Sequence, residues 1–375
     1  MNGRWTSICR LIVVALAFVG VARAEEVDVP SDTVGTKAAL VKRSWFVVPI
    51  AFYQEETSVG FGFSGGYYFK SQSLKEINSL SGSVIYTLRN QAKLNLNSRF
   101  YNKKKDWYMV GNVQLRYYPE KFFGIGNEPP EKEWLYTSEA VSANFQPFWR
   151  FSPGWHVGPR LDVRAERVLA DAAFEADRQS VYERYGTAGW QPYFNWSLGV
   201  QLMYDDRDNP FYPLKFSNFF KGGYMGAYKA LGSSYTVQSV SADFRQYVPT
   251  WLGQVFAWQL KLDFCLGRDV PFELLPTLGG SDLLRGFRER RFTDNSLVVL
   301  QAEYRIPVYG RLKAALFCGV GDVFDCYQPL VHQIKVGYGG GLRYRLNDAR
   351  VHLRVDFAGN NYGEFKFYIT ATEAF

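Results

Sequence analysis

The amino-acid sequence predicts an all-β protein: a 16-stranded antiparallel transmembrane β-barrel with one extracellular loop folded inward. Three observations carry this. Runs of residues alternate between apolar and polar with a period of two, which places one set on each face of a strand. The clearest run has Val298, Leu300, Ala302, Tyr304 and Ile306 on one side and Val299, Gln301, Glu303 and Arg305 on the other. A strand that is greasy outside and polar inside suits a membrane barrel. After residue 24 no stretch approaches the roughly 18 uninterrupted apolar residues of a membrane helix, so any span is made by strands. Short and long connections also alternate along the chain, as the two ends of such a barrel require.

Residues 1–24 read as a secretory signal: Arg4 and Arg10, an apolar run LIVVALAFVGVA, then the small-residue site Ala22-Arg23-Ala24. Residues 25–42 are polar and aperiodic and make a short periplasmic tail. The barrel is expected over 43–375. Its strands are expected at about 43–54, 58–70, 79–89, 91–101, 107–118, 135–150, 154–168, 191–205, 216–228, 234–248, 254–268, 295–306, 311–324, 335–346, 350–358 and 364–375. With both termini periplasmic, the short turns at 152–154, 249–253, 307–310 and 347–348 follow even strands. The long connections at 119–134, 169–190 and 269–294 follow odd ones. Aromatic residues make up 17% of the chain, which supplies rings for the two headgroup levels.

Formal net charge is +7, and losing the signal removes three arginines and no acid, leaving +4. That is too modest to argue for nucleic acid. Cys265 is expected in the lumen, Cys318 on the lipid face and Cys326 in a loop; their spacing suggests no metal site. His156, His332 and His352 lie far apart in sequence and suggest neither a triad nor zinc. Gly62-Phe63-Ser64-Gly65-Gly66 fits a nucleophile-elbow pattern, but that chemistry needs a strand-to-helix turn, and Ser64 lies mid-strand. Gly60 to Gly65 matches a phosphate-loop pattern with no helix to follow it. Asp205, Asp206 and Asp208 suit a side-chain-stabilised turn better than a cation site. The protein is not expected to be an enzyme, and no cofactor is called for.

The segment from Gly267 to Phe292 is a long connection rich in Gly and Arg. It is either a solvated basic surface loop or a functional loop folded into the lumen; its apolar Leu283, Leu284 and Phe287 argue against disorder. In the second case Arg285 needs a lumen-facing carboxylate, and Glu303 on the next strand is the best placed. Pro49, mid-way along the first strand, cannot donate to a ladder, and Gly359 and Gly363 flank the last strand, where the backbone can bend. Both irregularities fall where the first strand must pair with the last.

The run Leu284-Arg285-Gly286-Phe287, after GGSDL and before QAEYRIP, resembles the inward loop and following strand of the BamA/TamA family of outer-membrane assembly factors, the bacterial surface antigen family. Asp206-Arg207-Asp208-Asn209-Pro210 with Tyr212-Pro213 resembles the family's mid-barrel turn. Phe122-Gly124-Ile125-Gly126-Asn127 resembles an outer loop, and Pro49 to Tyr53 with Glu56, Thr57 and Gly60 the first hairpin. The resemblance spans about 43–375, a barrel-only member with no room in 25–42 for the periplasmic domains most members carry. It implies that Arg285, Gly286, Phe287 and Glu303 hold the loop in the lumen. It also implies that Pro49, Gly359, Gly363 and Phe375 belong to a lateral seam. The last strand, with Phe367, Ile369 and the terminal Phe375 on one face, resembles the signal by which such barrels are recognised for assembly. Where the family carries an acid on the second strand after the loop, this sequence has Gly319, so Asp356 or Asp263 is expected to supply the missing partner. The implied function, at the bacterial cell outer membrane, is to assist insertion or translocation of polypeptides or lipids through the seam. The alternative is a passive plugged pore or structural barrel. Expected partners are outer-membrane lipid, client outer-membrane proteins, and periplasmic or outer-membrane partner subunits.

Overall fold

The computed structural model describes residues 43–54, 58–70, 77–102, 106–185, 188–325, 333–346, 350–371 and 373–375. The expected signal, the 25–42 tail, Cys326 and His332 lie outside them. The strands are β1 (Arg43–Gln54), β2 (Ser58–Lys70), β3 (Ile77–Thr87), β4 (Ala92–Tyr101), β5 (Trp107–Phe122), β6 (Trp134–Ser152), β7 (Trp155–Ala170) and β8 (Tyr193–Asp205). They continue with β9 (Ser217–Ala227), β10 (Val237–Pro249), β11 (Val255–Leu266), β12 (Ser296–Tyr309), β13 (Leu312–Phe324), β14 (Lys335–Arg345), β15 (His352–Asn360) and β16 (Phe365–Ala371). All sixteen close into one barrel, each strand antiparallel to its neighbours in sequence and β1 meeting β16. The expected strand count and order hold.

The faces follow the alternation. Leu300, Val320, Leu342 and Phe357 are exposed on the outer surface, while Gln301, Glu303, Arg305, Arg343 and Asp356 are buried within. Charges on the inner wall are neutralised by partners two residues along the same strand, which share a face by the strand period. Examples are Arg160–Asp162 at 2.8 Å, Arg245–Asp243 at 2.6 Å and Arg305–Glu303 at 2.9 Å.

Three segments depart from expectation. The connection after β7 contains helix α1 (Ala172–Tyr185), started by Asp171, whose Oδ1 accepts the Phe174 N–H at 2.7 Å. Among its described side chains Phe174 and Val181 are the buried ones, with Tyr185 half-buried beside them, too sparse a stripe to read from sequence. The connection after β11 has structure of its own: a 3₁₀ turn at Phe272–Leu274 and a short antiparallel pairing of Thr277–Leu278 with Phe292–Thr293. The last strand stops at Ala371, short of the expected 375. Phe375 is buried inside, packed with Tyr247, Val255 and Ala257 of β10 and β11, and its main-chain oxygen accepts Arg305 Nη2 at 2.9 Å.

Candidate functional site: the inward loop and the seam

The connection from Gly267 to Asn295 folds back into the lumen, and its tip, Leu284 to Phe287, reaches the inner faces of β12 to β16. Arg285 is 3% exposed. Its Nη2 lies 2.7 Å from Glu303 Oε2 and its Nη1 2.8 Å from Asp356 Oδ2. The guanidinium stacks on Phe317, its carbon 3.5 Å from the ring centroid, which adds a cation–π contact where water is excluded. Glu303 and Asp356 are themselves bridged by Arg343, at 3.0 and 2.5 Å, and Arg305 closes on Glu303. Burying charges is costly unless each is paired, and this cluster meets that condition across four elements.

The tip backbone is held as well as its side chain. Leu284 N–H donates to Gln301 Oε1 at 3.1 Å, and Asn360 Nδ2 donates to the Gly286 carbonyl at 2.8 Å. The Tyr368 hydroxyl on β16 accepts the Gly286 N–H at 3.3 Å and donates to the Phe287 carbonyl at 3.2 Å. Gly286 has φ +108°, and a Cβ there would lie 2.5 Å from the Gly359 carbonyl oxygen. On the wall, a Cβ at Gly337 would lie 2.2 Å from the Arg285 carbonyl oxygen, so the tip rests on bare strand backbone. Phe287 packs with Leu278, Leu284, Phe292, Leu297, Val299 and Val323.

Gly319, which stands where an acid was expected, serves the same trough: a Cβ there would meet Leu284 at 3.0 Å. The missing carboxylate is supplied by Asp356. Asp263 is not a partner of Arg285. In register Asp263 faces Leu297, whereas Glu303 faces Ala257, so Asp263 stands six residues, roughly 20 Å, further up the wall. It lies 3.4 Å from Lys261 instead.

Sequence reasoning missed Arg343, Tyr368, Asn360, Gln301 and Phe317. Alternation put Gln301 on the inner face, but nothing local says which inner residues meet a loop from elsewhere in the chain.

At the closure, β1 and β16 share a single register pair among the described residues, Tyr53 with Ile369. Every other neighbouring pair is matched over many residues; β1 with β2, for example, runs from Arg43–Phe69 to Gln54–Ser58 and includes Pro49 opposite Phe63. Gly359 lies in β15 opposite Phe365, and Gly363 forms the turn into β16 at φ +80°. Phe375 is away from this closure, on the β10–β11 wall, which corrects its assignment to the seam. The chain leaves the strand after Ala371, so the alternation that put Phe375 on one face with Phe367 and Ile369 does not reach it.

The remaining motifs have structural duties. Ser64 sits within β2 and donates to the Gly82 carbonyl at 3.3 Å. Asp205, Asp206 and Asp208 accept backbone N–H groups of Arg207, Asn218 and Leu214 around the turn after β8. Among the described residues no group of His, Cys, Asp or Glu is arranged to hold a metal.

A closed sixteen-strand barrel, apolar outside and plugged by its own loop, defines an outer-membrane β-barrel protein. The Omp85 superfamily domain matches residues 77–375, and the chain belongs to that superfamily. Its fold is similar to BamA from Haemophilus ducreyi lacking POTRA domains 1–3, with TM-score 0.60 and 13% identity over 88% of this chain and 70% of that one. It is also similar to CdiB from Acinetobacter baumannii, with TM-score 0.58 and 12% identity over 88% of this chain and 59% of that one. For CdiB from Escherichia coli the figures are 0.57, 11%, 87% and 62%. The chain thus spans about three fifths of the length of either CdiB. No curated protein matches it. The protein resides in the bacterial outer membrane.

Proposed function

We propose that this barrel assists the insertion or translocation of polypeptides or lipids at the outer membrane, with the β1–β16 closure as the point of lateral opening and the inward loop as the element that governs it. One observation carries the reading. The loop tip is bonded to β16 itself, through Tyr368, while β16 is joined to β1 at one register pair among the described residues. Movement of the tip therefore acts directly on the strand whose pairing is weakest. Arg285 with Glu303 and Asp356 is the lock, Gly286 permits the close approach and Phe287 is the apolar anchor. Pro49 has no N–H to give to a ladder, and Gly359 at the end of β15 and Gly363 in the turn after it let the β15–β16 hairpin bend. In this reading residues 1–24 direct export and 25–42 form a short periplasmic segment. Client proteins and periplasmic or outer-membrane partner subunits complete the machinery.

A second reading, a passive plugged pore, is favoured by a cavity of about 320 Å³ between the loop and the β3–β5 wall, lined in part by Thr87, Gln91, Lys93, Asp282 and Glu289. Depletion in the native bacterium separates the two. Loss of outer-membrane proteins or of lipid asymmetry supports assembly. Normal membrane composition with altered solute uptake supports the pore.

A further inference from the structure

The inward loop touches the barrel wall at a second place, with the opposite sign of charge. Pro271 leads into the 3₁₀ turn Phe272–Leu274, whose Phe272 N–H donates to the Ala188 carbonyl at 3.1 Å, just beyond α1. The Phe272 ring is buried against Phe122, Tyr136 and Trp190, with centroids 5.0, 5.3 and 4.8 Å away. This fixes the turn so that Glu273 points into the lumen. Glu273 Oε2 lies 2.8 Å from Arg116 Nη2 on β5 and 3.4 Å from Arg164 Nη2 on β7. The same oxygen is 3.5 Å from Arg290 on the loop's returning limb, and Oε1 accepts the Tyr136 hydroxyl at 2.5 Å.

The wall arginines do not depend on the loop for neutralisation. Arg164 has Glu166 at 2.8 Å, and Arg116 has Glu120 and Glu166 each at 3.6 Å. The loop brings Glu273 together with Arg290, so a neutral pair docks on a neutral wall and can leave without stranding a charge. In the closed strand order β5 to β7 stand across the barrel from β13 to β15. The loop is therefore held by an anion on one wall and by the Arg285 cation on the other. Burial alone would raise the Glu273 carboxyl, but Arg290, Arg116 and Arg164 hold it well below the usual carboxylate range.

The geometry points to Glu273 as a second positioning residue, which holds the loop on the β5–β7 wall independently of Arg285 and makes the loop a strut fixed at both ends. Freeing Arg285 leaves a tethered loop; only release of both ends lets it leave the lumen. The inference does not rest on an assembly role, because it concerns where the loop sits and not what the barrel transports.

The loop carries its own reporters, since trypsin cuts after Arg285, Arg288, Arg290 and Arg291 only when they are accessible. The test compares the full-length folded barrel as wild type, Glu273→Gln, Arg285→Ala and the double variant. Tryptic cleavage of the loop and the heat-induced gel shift of the barrel are followed in parallel, with cleavage scored after Arg288, Arg290 and Arg291, which all four proteins retain. Each single variant should cleave within about threefold of wild type, and the double variant about tenfold or more above either single, with the folded barrel still showing its gel shift. Restoring the charge as Glu273→Asp in the Arg285→Ala background should recover part of the protection. A double variant that cleaves no faster than Arg285→Ala overturns the inference. If the double variant does not fold, Tyr136→Phe in the Arg285→Ala background takes its place: faster cleavage supports the second anchor, and unchanged cleavage overturns it.

Discussion

Replacing Glu303 by Gln is the perturbation to which the inward loop should respond most strongly. The Glu303 side chain is fully buried and faces three guanidinium groups, Arg285 at 2.7 Å, Arg305 at 2.9 Å and Arg343 at 3.0 Å. Removing its charge leaves these cations with Asp356 and Glu373, of which only Asp356 reaches Arg285. Breaking a buried pair in this way costs about 3–5 kcal/mol, because the surviving charge is left uncompensated in a dry site. Arg285→Ala is the milder change. Glu303 then keeps Arg305 and Arg343, Asp356 keeps Arg343, and what is lost is two charge-assisted hydrogen bonds and the stack on Phe317. Repacking by Arg343 offsets part of that loss, which we place at about 2–3 kcal/mol. In heat-modifiability gels of the folded barrel, Glu303→Gln should lower the midpoint by about 5–10 °C and Arg285→Ala by roughly half as much. Equal midpoints, or a larger loss for Arg285→Ala, would refute the argument that Glu303 is the hub of the cluster.

Other outcomes follow from the same geometry. Gly286→Ala combines a positive φ with a 2.5 Å approach to the Gly359 carbonyl, so it should displace the tip at a cost of about 1–3 kcal/mol and speed hydrogen exchange at the tip amides in an otherwise folded barrel. Tyr368→Phe removes both hydrogen bonds from β16 to the tip and should loosen the loop by about 1–2 kcal/mol while leaving the Arg285 pairs intact, as read by hydrogen exchange at the tip amides. Asp294, at the base of the loop, is pushed up to about 6 by burial and by the neighbouring Asp325 and Asp322 charges. A raised acid binds its proton more tightly folded than unfolded, so its contribution is present below the ordinary carboxylate range and is lost as pH rises through about 6. Protection of the loop base from proteolysis should fall over that window, and Asp294→Asn should flatten the dependence.

The barrel was legible because its physics is local. A strand between lipid and a polar lumen must alternate, so Val298 to Ile306 declare their faces without reference to the rest of the chain. The Arg285–Glu303 contact was also within reach, since a buried cation needs an acid and the next strand offered one on its inner face. Asp356 against Asp263 could not be decided in advance, because both face inward and only the register of β11 on β12 shows that Asp263 stands too high. Arg343 was hidden for a related reason: its role depends on β12, β14 and β15 converging on one point. Helix α1 escaped because two buried side chains do not make a readable stripe, and Glu273 because its partners Arg116 and Arg164 come from strands far back in the chain. Phe375 was misplaced by extending a correct alternation past Ala371, where the chain leaves the sheet.

The most direct measurement is to fasten the closure. Tyr53 and Ile369 face each other as the register pair joining β1 to β16, so Tyr53→Cys with Ile369→Cys, with Cys265, Cys318 and Cys326 replaced by Ser, allows a disulfide across the seam. With the native gene replaced by this variant, oxidation should lower the outer-membrane complement of client proteins or lipids, and reductant should restore it. A fully crosslinked barrel that sustains a normal outer membrane would contradict the lateral-opening account.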